Sequence, residues 1–277
     1  MPPIIFEDKH ILVINKPSGL LVHGDGHNCE PTLADFLIES GKVKKGVGEP
    51  LIIKMNKSLA TDCALPSHEY VTEKGTAKGA DGKKVITELK IHRPGIVHRL
   101  DKDTSGVMII AKDNDTFFAL KKEFQDRTMK KEYLAVVRGS FKENIGSIAV
   151  PIGRSKNDFR KFLGGRGTRG ELRDAVTDYR VLGTTRDDRA TEWSIILIKP
   201  RTGRTHQIRV HMTFTNHPVG GDKLYGDEKT ISAYPRLMLH AMRLSYLDKD
   251  GKKLVFEAPS PEEFKDIANL AQVELPC

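Results

Sequence analysis

Three polar segments interrupt otherwise apolar stretches, and each carries residue types able to do chemistry. The first is His98-Arg99-Leu100-Asp101-Lys102-Asp103-Thr104-Ser105-Gly106, set between Ile96-Val97 and Val107-Met108-Ile109-Ile110. Charges wedged between two buried runs are costly unless paired or functional. Thr104, Ser105 and Gly106 favour a tight turn, and a carboxylate held there beside cations stays ionised and can act as a nucleophile. Asp101 is the candidate, although Asp101 or Asp103 can also form a purely structural ion pair with Arg99. The second segment is Thr202-Gly203-Arg204-Thr205-His206-Gln207-Ile208-Arg209-Val210-His211. As a helix it puts Thr205 and Arg209 on one face and Gln207 and His211 on another. Such residues beside a helix N-terminus suit a phosphate, an arginine there can pair with the carboxylate at 101, and a plain solvated helix face would look the same. The third is Lys130-Lys131-Glu132-Tyr133-Leu134-Ala135-Val136-Val137. Alternation groups Tyr133 with Ala135 and Val137, as either a core tyrosine or an aromatic that stacks on a base.

These segments need elements to position them. Ile4 to Glu7 and Ile11 to Asn15 read as a hairpin broken at Asp8-Lys9. Leu33, Phe36 and Leu37 give a helical face that stops near Gly41. Residues 42–92 are rich in Lys, Gly and Thr, with short strand-like runs at Leu51 to Met55 and Val85 to Leu89, and read as an insertion or long basic loop. Ile96 to Leu100 and Val107 to Ala111 look like strands, followed by a helix with Phe117, Leu120 and Phe124 inward. Strand-like patterns recur at Lys131 to Arg138, Val176 to Leu182, Thr191 to Ile198, Leu237 to Tyr246 and Leu254 to Glu257. Residues 153–171, rich in Arg, Lys and Gly, read as a mobile basic loop. Arg204 to Thr215 reads as a helix capped by Thr205, and Ser260-Pro261-Glu262-Glu263 as a helix start capped by Ser260. With no internal repeat and no Pro-rich linker, the economical organisation is one α+β domain over residues 1–277.

Composition narrows the class. The chain has 277 residues, 38% hydrophobic and 30% charged, with a net charge of +8, which favours an anionic partner, nucleic acid first. Cys29, Cys63 and Cys277 form no ligand-like cluster, consistent with reduced thiols in a cytoplasmic protein. The first ten residues have no signal-peptide layout, and no apolar run approaches the ~20 residues that span a bilayer. The histidines show no zinc spacing, and there is no P-loop. Gly165-x-Gly167-x-x-Gly170 lacks the strand-turn-helix context of a dinucleotide site. Asp101-x-Asp103 lacks the uninterrupted apolar strand of the Mg-dependent phosphatases.

Taken together, the segments resemble the RluA-type family of pseudouridine synthases, which modify ribosomal and transfer RNA. Residues 98–106 match its signature H-R-L-D-x-x-T-S-G, and residues 202–211 its T-G-R-T-H-Q-I-R-V-H element. Asn15-Lys16-Pro17-Ser18-Gly19 with Val22-His23, Gly221-Asp222-Lys223-Leu224-Tyr225-Gly226 and Leu239-His240-Ala241 match further elements. The match runs from about residue 4 to 260, leaving out 42–92. It implies Asp101 as catalytic aspartate, Tyr133 as the aromatic stacked on the flipped uracil, and Arg209 as the cation that keeps Asp101 ionised. Arg99, Thr104, Arg204, His206 and Gln207 would shape the loop or bind RNA. The implied fold is a long, bent, mostly antiparallel sheet flanked by helices, with a cleft across its middle. The implied reaction needs no cofactor and no metal, and its substrate is rRNA or tRNA met by a monomer. On this match the sequence is expected to begin at the catalytic strands, without the separate N-terminal RNA-binding domain of many relatives. An RNA-binding protein without catalysis is the principal alternative.

Overall fold

Asp8 closes the first turn by accepting the N–H groups of His10 and Ile11, each at 2.7 Å. It joins β1 (Ile4–Glu7) to its antiparallel partner β2 (Ile11–Lys16). The structure is a computed structural model that describes residues 1–24, 30–54, 68–72, 86–248 and 250–276. Helix α1 (Leu33–Glu39) begins at a capping box in which the Thr32 side chain takes the Asp35 N–H and the Asp35 carboxylate takes the Thr32 N–H. Strands β3 (Leu51–Lys54), β4 (His68–Thr72) and β5 (Ile86–Ile91) pair antiparallel in the order β3-β5-β4. The described part of 42–92 is thus a small sheet rather than a basic loop. β3 and β5 start from the two apolar runs; residues 55–67 and 73–85 lie outside the described residues.

Next come β6 (Ser105–Ala111), wholly buried, α2 (Asn114–Gln125) and β7 (Lys130–Arg138). They are followed by β8 (Ile145–Ala149), β9 (Ile152–Ser155), β10 (Phe162–Gly164), β11 (Thr168–Arg173), β12 (Val176–Arg186) and β13 (Glu192–Pro200). The chain ends with α3 (Gln207–Phe214), α4 (Glu228–Ser232), β14 (Leu239–Leu247), β15 (Lys253–Glu257) and α5 (Glu262–Leu270).

The chain groups into two compact units. One comprises Met1–Ile14, Gly19–Lys102 and Met108–Gln125; the other comprises Asn15–Ser18, Asp103–Val107 and Asp126–Cys277. In the second unit the order is β6-β14-β7-β13-β12-β8, with β15 on the outer part of β14. The β6–β14 pair is parallel and the other pairs of this sheet are antiparallel. β7 and β13 carry near-continuous apolar runs, as strands covered on both faces must. Their core takes in Trp193, Ile195, Leu134 and Val136, with Ile208 and Met212 from α3 and Phe264 and Ile267 from α5. The class is α+β, as expected.

Four local expectations need correction. Ile96–Leu100 is not a strand: only Ile96 bridges to Ile110. The imidazole Nε2 of His98 takes the Ile109 N–H at 3.1 Å in place of a ladder carbonyl. Residues 153–171 are ordered as strands β10-β9-β11, because Gly165 and Gly167, at φ +69° and +80°, let the chain reverse where a side chain would be strained. Helix α3 starts at Gln207, with His206 as its cap in the left-handed region at φ +55°, not Thr205. Helix α5 takes Pro261 as its cap, without a side-chain hydrogen bond from Ser260.

Candidate active site

In the first unit, Asp101 is half-buried beside the buried Leu100. Its loop is pinned from several directions. His98 stacks on Phe124 with ring centroids 4.6 Å apart. The Gly19 N–H donates to the Lys102 carbonyl at 2.9 Å, and the Lys102 ammonium meets Glu30 at 2.5 Å. In the second unit, the Ser18 hydroxyl donates to the Asp103 carbonyl at 2.7 Å. The Asn15–Gly19 element and the 98–106 loop are therefore tied at two successive residues of each. Arg99 is exposed, whereas Thr104 is buried.

The end of that loop is fixed by β14. Arg236 donates to the Ser105 hydroxyl. A guanidinium can only donate, so the serine oxygen accepts from it and its own proton goes to His240 Nδ1, 2.8 Å away. His240 Nε2 then carries the hydrogen and points it at the Ala258 carbonyl. Complete burial, with the nearby Arg236 charge, pushes the His240 pKa down to about 4. One residue on, Gly106 packs its backbone against Ala241: an added Cβ would lie 2.2 Å from the Ala241 oxygen.

Tyr133 lies on β7, half-buried, opposite Ile198 of β13 and Ala241 of β14, and packs against the main core. Glu132, on the other face by alternation, is held by Lys199 at 2.8 Å and Arg243 at 3.1 Å. Lys131 shares the Tyr133 face. Its ammonium lies where a Cβ on Gly203 would come within 3.5 Å of it; burial, with repulsion from Arg127, lowers its pKa.

Helix α3 is wired to the sheet by a polar chain whose directions can all be assigned. Thr202 accepts the Val176 N–H and donates to Gln207 Oε1 at 2.7 Å. The same oxygen takes the Arg204 N–H at 3.0 Å. Gln207 Nε2 donates to the Val176 carbonyl and to the Thr177 hydroxyl. Thr177 passes its proton to His211 Nδ1 at 2.8 Å, and His211 Nε2 donates to the Val150 carbonyl at 2.9 Å. Burial lowers the His211 pKa, in keeping with the neutral ring this direction requires. Gln207 and His211 do share a face, and both are spent inside the protein. Gln207, 4% exposed, has its amide engaged by Thr202, Arg204, Val176 and Thr177.

This wiring aims Arg209. Its Nε and Nη2 donate to Asp222 Oδ2 and Oδ1, both at 2.7 Å, and its guanidinium lies 5.0 Å from the centroid of Tyr225. Asp222 Oδ1 also accepts the N–H groups of Leu224 and Tyr225. Burial alone would raise the Asp222 pKa, but the Arg209 hydrogen bonds and charge, with these N–H groups, hold it below the usual carboxylate range. The Tyr225 hydroxyl accepts the Phe162 N–H and meets His206 Nδ1, each at 2.9 Å. Arg204, half-buried, donates through Nε to the Asp174 carbonyl. The second unit thus holds Tyr133, Arg204, His206, Gln207 and Arg209. Sequence reading missed Asp222 and Tyr225 as members of this group, although both sit in the Gly221–Gly226 motif. Among the described residues, no three His, Cys, Asp or Glu side chains are grouped to hold a metal ion, and no helix is long and apolar enough to cross a membrane.

Residues 10–214 match the family model described as RNA pseudouridylate synthase. The chain is 36% identical over 258 residues to the ribosomal large subunit pseudouridine synthase D of Borreliella burgdorferi, an alignment covering 92% of this chain and 65% of that protein. It is 33% identical to an uncharacterized RNA pseudouridine synthase of Aquifex aeolicus, covering 95% of this chain and 71% of the relative. Among solved structures, human RNA pseudouridylate synthase domain containing 4 superposes with a TM-score of 0.65 at 25% identity, over 99% of this chain and 95% of that one.

Proposed function

Because the chain belongs to the RNA pseudouridylate synthase family, we propose that it converts uridines within RNA to pseudouridine. The carrying observation is that the matched residues, 10–214, include Asp101, Tyr133 and Arg209, and that Arg209 is buried on a carboxylate of its own, Asp222.

The reaction breaks the bond between sugar C1′ and uracil N1 and forms one from C1′ to C5. The C5 hydrogen is lost to water and N1 gains a proton, so atoms balance without an added reactant. The target nucleotide must leave its stack, at a cost of a few kcal/mol, which phosphate contacts to basic side chains offset. Asp101 is the catalytic carboxylate, acting at the sugar or on the base. Tyr133 keeps the detached uracil oriented while it turns. Arg209, locked by Asp222 and the α3 wiring, is the proposed basic residue of the catalytic group. Arg99, Arg204 and His206 are the proposed RNA contacts of these segments.

The Borreliella relative's name points to large-subunit ribosomal RNA as the substrate, with tRNA as a second class. The protein works as a cytoplasmic monomer without metal or cofactor. To test this, large-subunit rRNA transcribed in vitro is incubated with the protein, treated with a carbodiimide that adds to pseudouridine, and read by reverse transcription. Stops at specific uridines that depend on the protein are expected. Their absence from every rRNA and tRNA pool, with RNA still bound, would leave an RNA-binding factor.

A further inference from the structure

Residues 153–173 carry seven basic and two acidic side chains, five of the chain's eight net positive charges. The β9–β10 turn of this small sheet is held largely by its own polar groups, with the Lys156 N–H donating to the Gly167 carbonyl. The buried Ser155 hydroxyl accepts the N–H groups of Asn157 and Asp158 at 3.2 Å. Asp158 accepts from the backbone, Nε and Nη2 of Arg160, and that pairing holds its pKa down at about 2. Arg154 donates to the Phe159 carbonyl at 3.2 Å. A turn so constrained presents one side chain with nothing to pack on: Phe159 is 70% exposed. Among the described residues, Arg154, Lys156, Arg166 and Arg169 of the same basic segment meet no carboxylate.

The sheet is mounted on the candidate site. Ile152 of β9 and Val210 of α3 share a small core with Phe162 and Tyr225. The Arg154 guanidinium lies 5.1 Å from the Phe162 ring centroid. Phe162 meets the edge of His206, and its N–H bonds the same Tyr225 hydroxyl that touches His206. Through Tyr225, whose ring lies 5.0 Å from the Arg209 guanidinium, the small sheet and Arg209 share packing partners.

We propose that Phe159 is a stacking platform for an unpaired base of the RNA substrate, with Arg154 and Lys156 taking the flanking phosphates. This rests on the RNA reading above. An isolated exposed phenylalanine is common on protein surfaces. An exposed one in a turn held by its own hydrogen bonds, beside Arg154 in a strongly basic segment, has the two components of single-strand recognition, a stacking face and backbone-neutralising charge.

The test uses the full chain. Phe159→Ala should raise KM for an rRNA transcript about tenfold and leave kcat within about twofold. Phe159→Trp should keep the wild-type KM, and its emission should be quenched by the transcript, against the single native tryptophan, Trp193, which is buried. An unchanged KM in Phe159→Ala together with unquenched emission, while wild type turns over the same RNA, would overturn this inference alone. Quenching by RNA without turnover in wild type would support the platform and overturn the enzymatic reading. Emission that shifts on phosphatidylserine vesicles and not on RNA would overturn the platform in favour of a membrane contact.

Discussion

Arg209 and Asp222 meet through two hydrogen bonds of 2.7 Å, with side chains 7% and 0% exposed. Their fork geometry fixes the plane of the guanidinium, and the backbone of Leu224 and Tyr225 fixes the carboxylate in turn. Removing one member leaves a buried, uncompensated charge. Asp222→Asn should therefore cost about 3 kcal/mol of stability and lower turnover by about 100-fold as Arg209 loses its aim. Urea unfolding and single-turnover kinetics check the two parts. A loss under about 1 kcal/mol would show that the pair is not held as described.

The Ser105–His240 bond sets an acid limit. With its folded pKa pushed down to about 4 from 6.5, His240 binds a proton in the unfolded chain before it does in the fold. Stability is complete above about pH 6.5 and falls as the pH drops towards 4, by about 3 kcal/mol. His240→Asn should flatten this part of the profile. Carboxylates held low, such as Asp222, enter only as the pH approaches 4. Parallel profiles for the two proteins in urea would contradict the assignment.

Gly106 sits at φ +121°, with the Ala241 carbonyl where a Cβ would be. Gly106→Ala should destabilise by about 3 kcal/mol or more, since backbone strain adds to a clash with backbone. Gly251, at φ +75° with open space around it, is the control: Gly251→Ala should cost only about 1 kcal/mol. Equal losses, read by thermal unfolding, would mean that the β6–β14 approach is not the constraint.

The parts legible in the sequence were those fixed by local pattern. The apolar runs at 107–111 and 134–137 gave β6 and β7, and Asp101 stood out as charge between two such runs. What escaped depends on partners distant in the chain. Gln207 looks like a ligand residue until Thr177, thirty positions earlier, is seen to absorb its amide. Asp222 is one acid among many until Arg209 folds against it. The β9–β11 sheet is hidden because its anchors, Ile152 and Phe162, are sparse among Arg, Lys and Gly. His98 replaced a predicted strand because a ring nitrogen can stand in for a carbonyl, which alternation does not register. Tyr133 and its core setting were visible together, since both follow from a single strand.

The most direct test of the central claim is release of tritium from uracil C5 of labelled rRNA and tRNA transcripts, with wild type and Asp101→Asn side by side. Release by wild type, and none by the variant at equal RNA binding, is the expected result. Release by Asp101→Asn at the wild-type rate would contradict the assignment of Asp101 as the catalytic carboxylate.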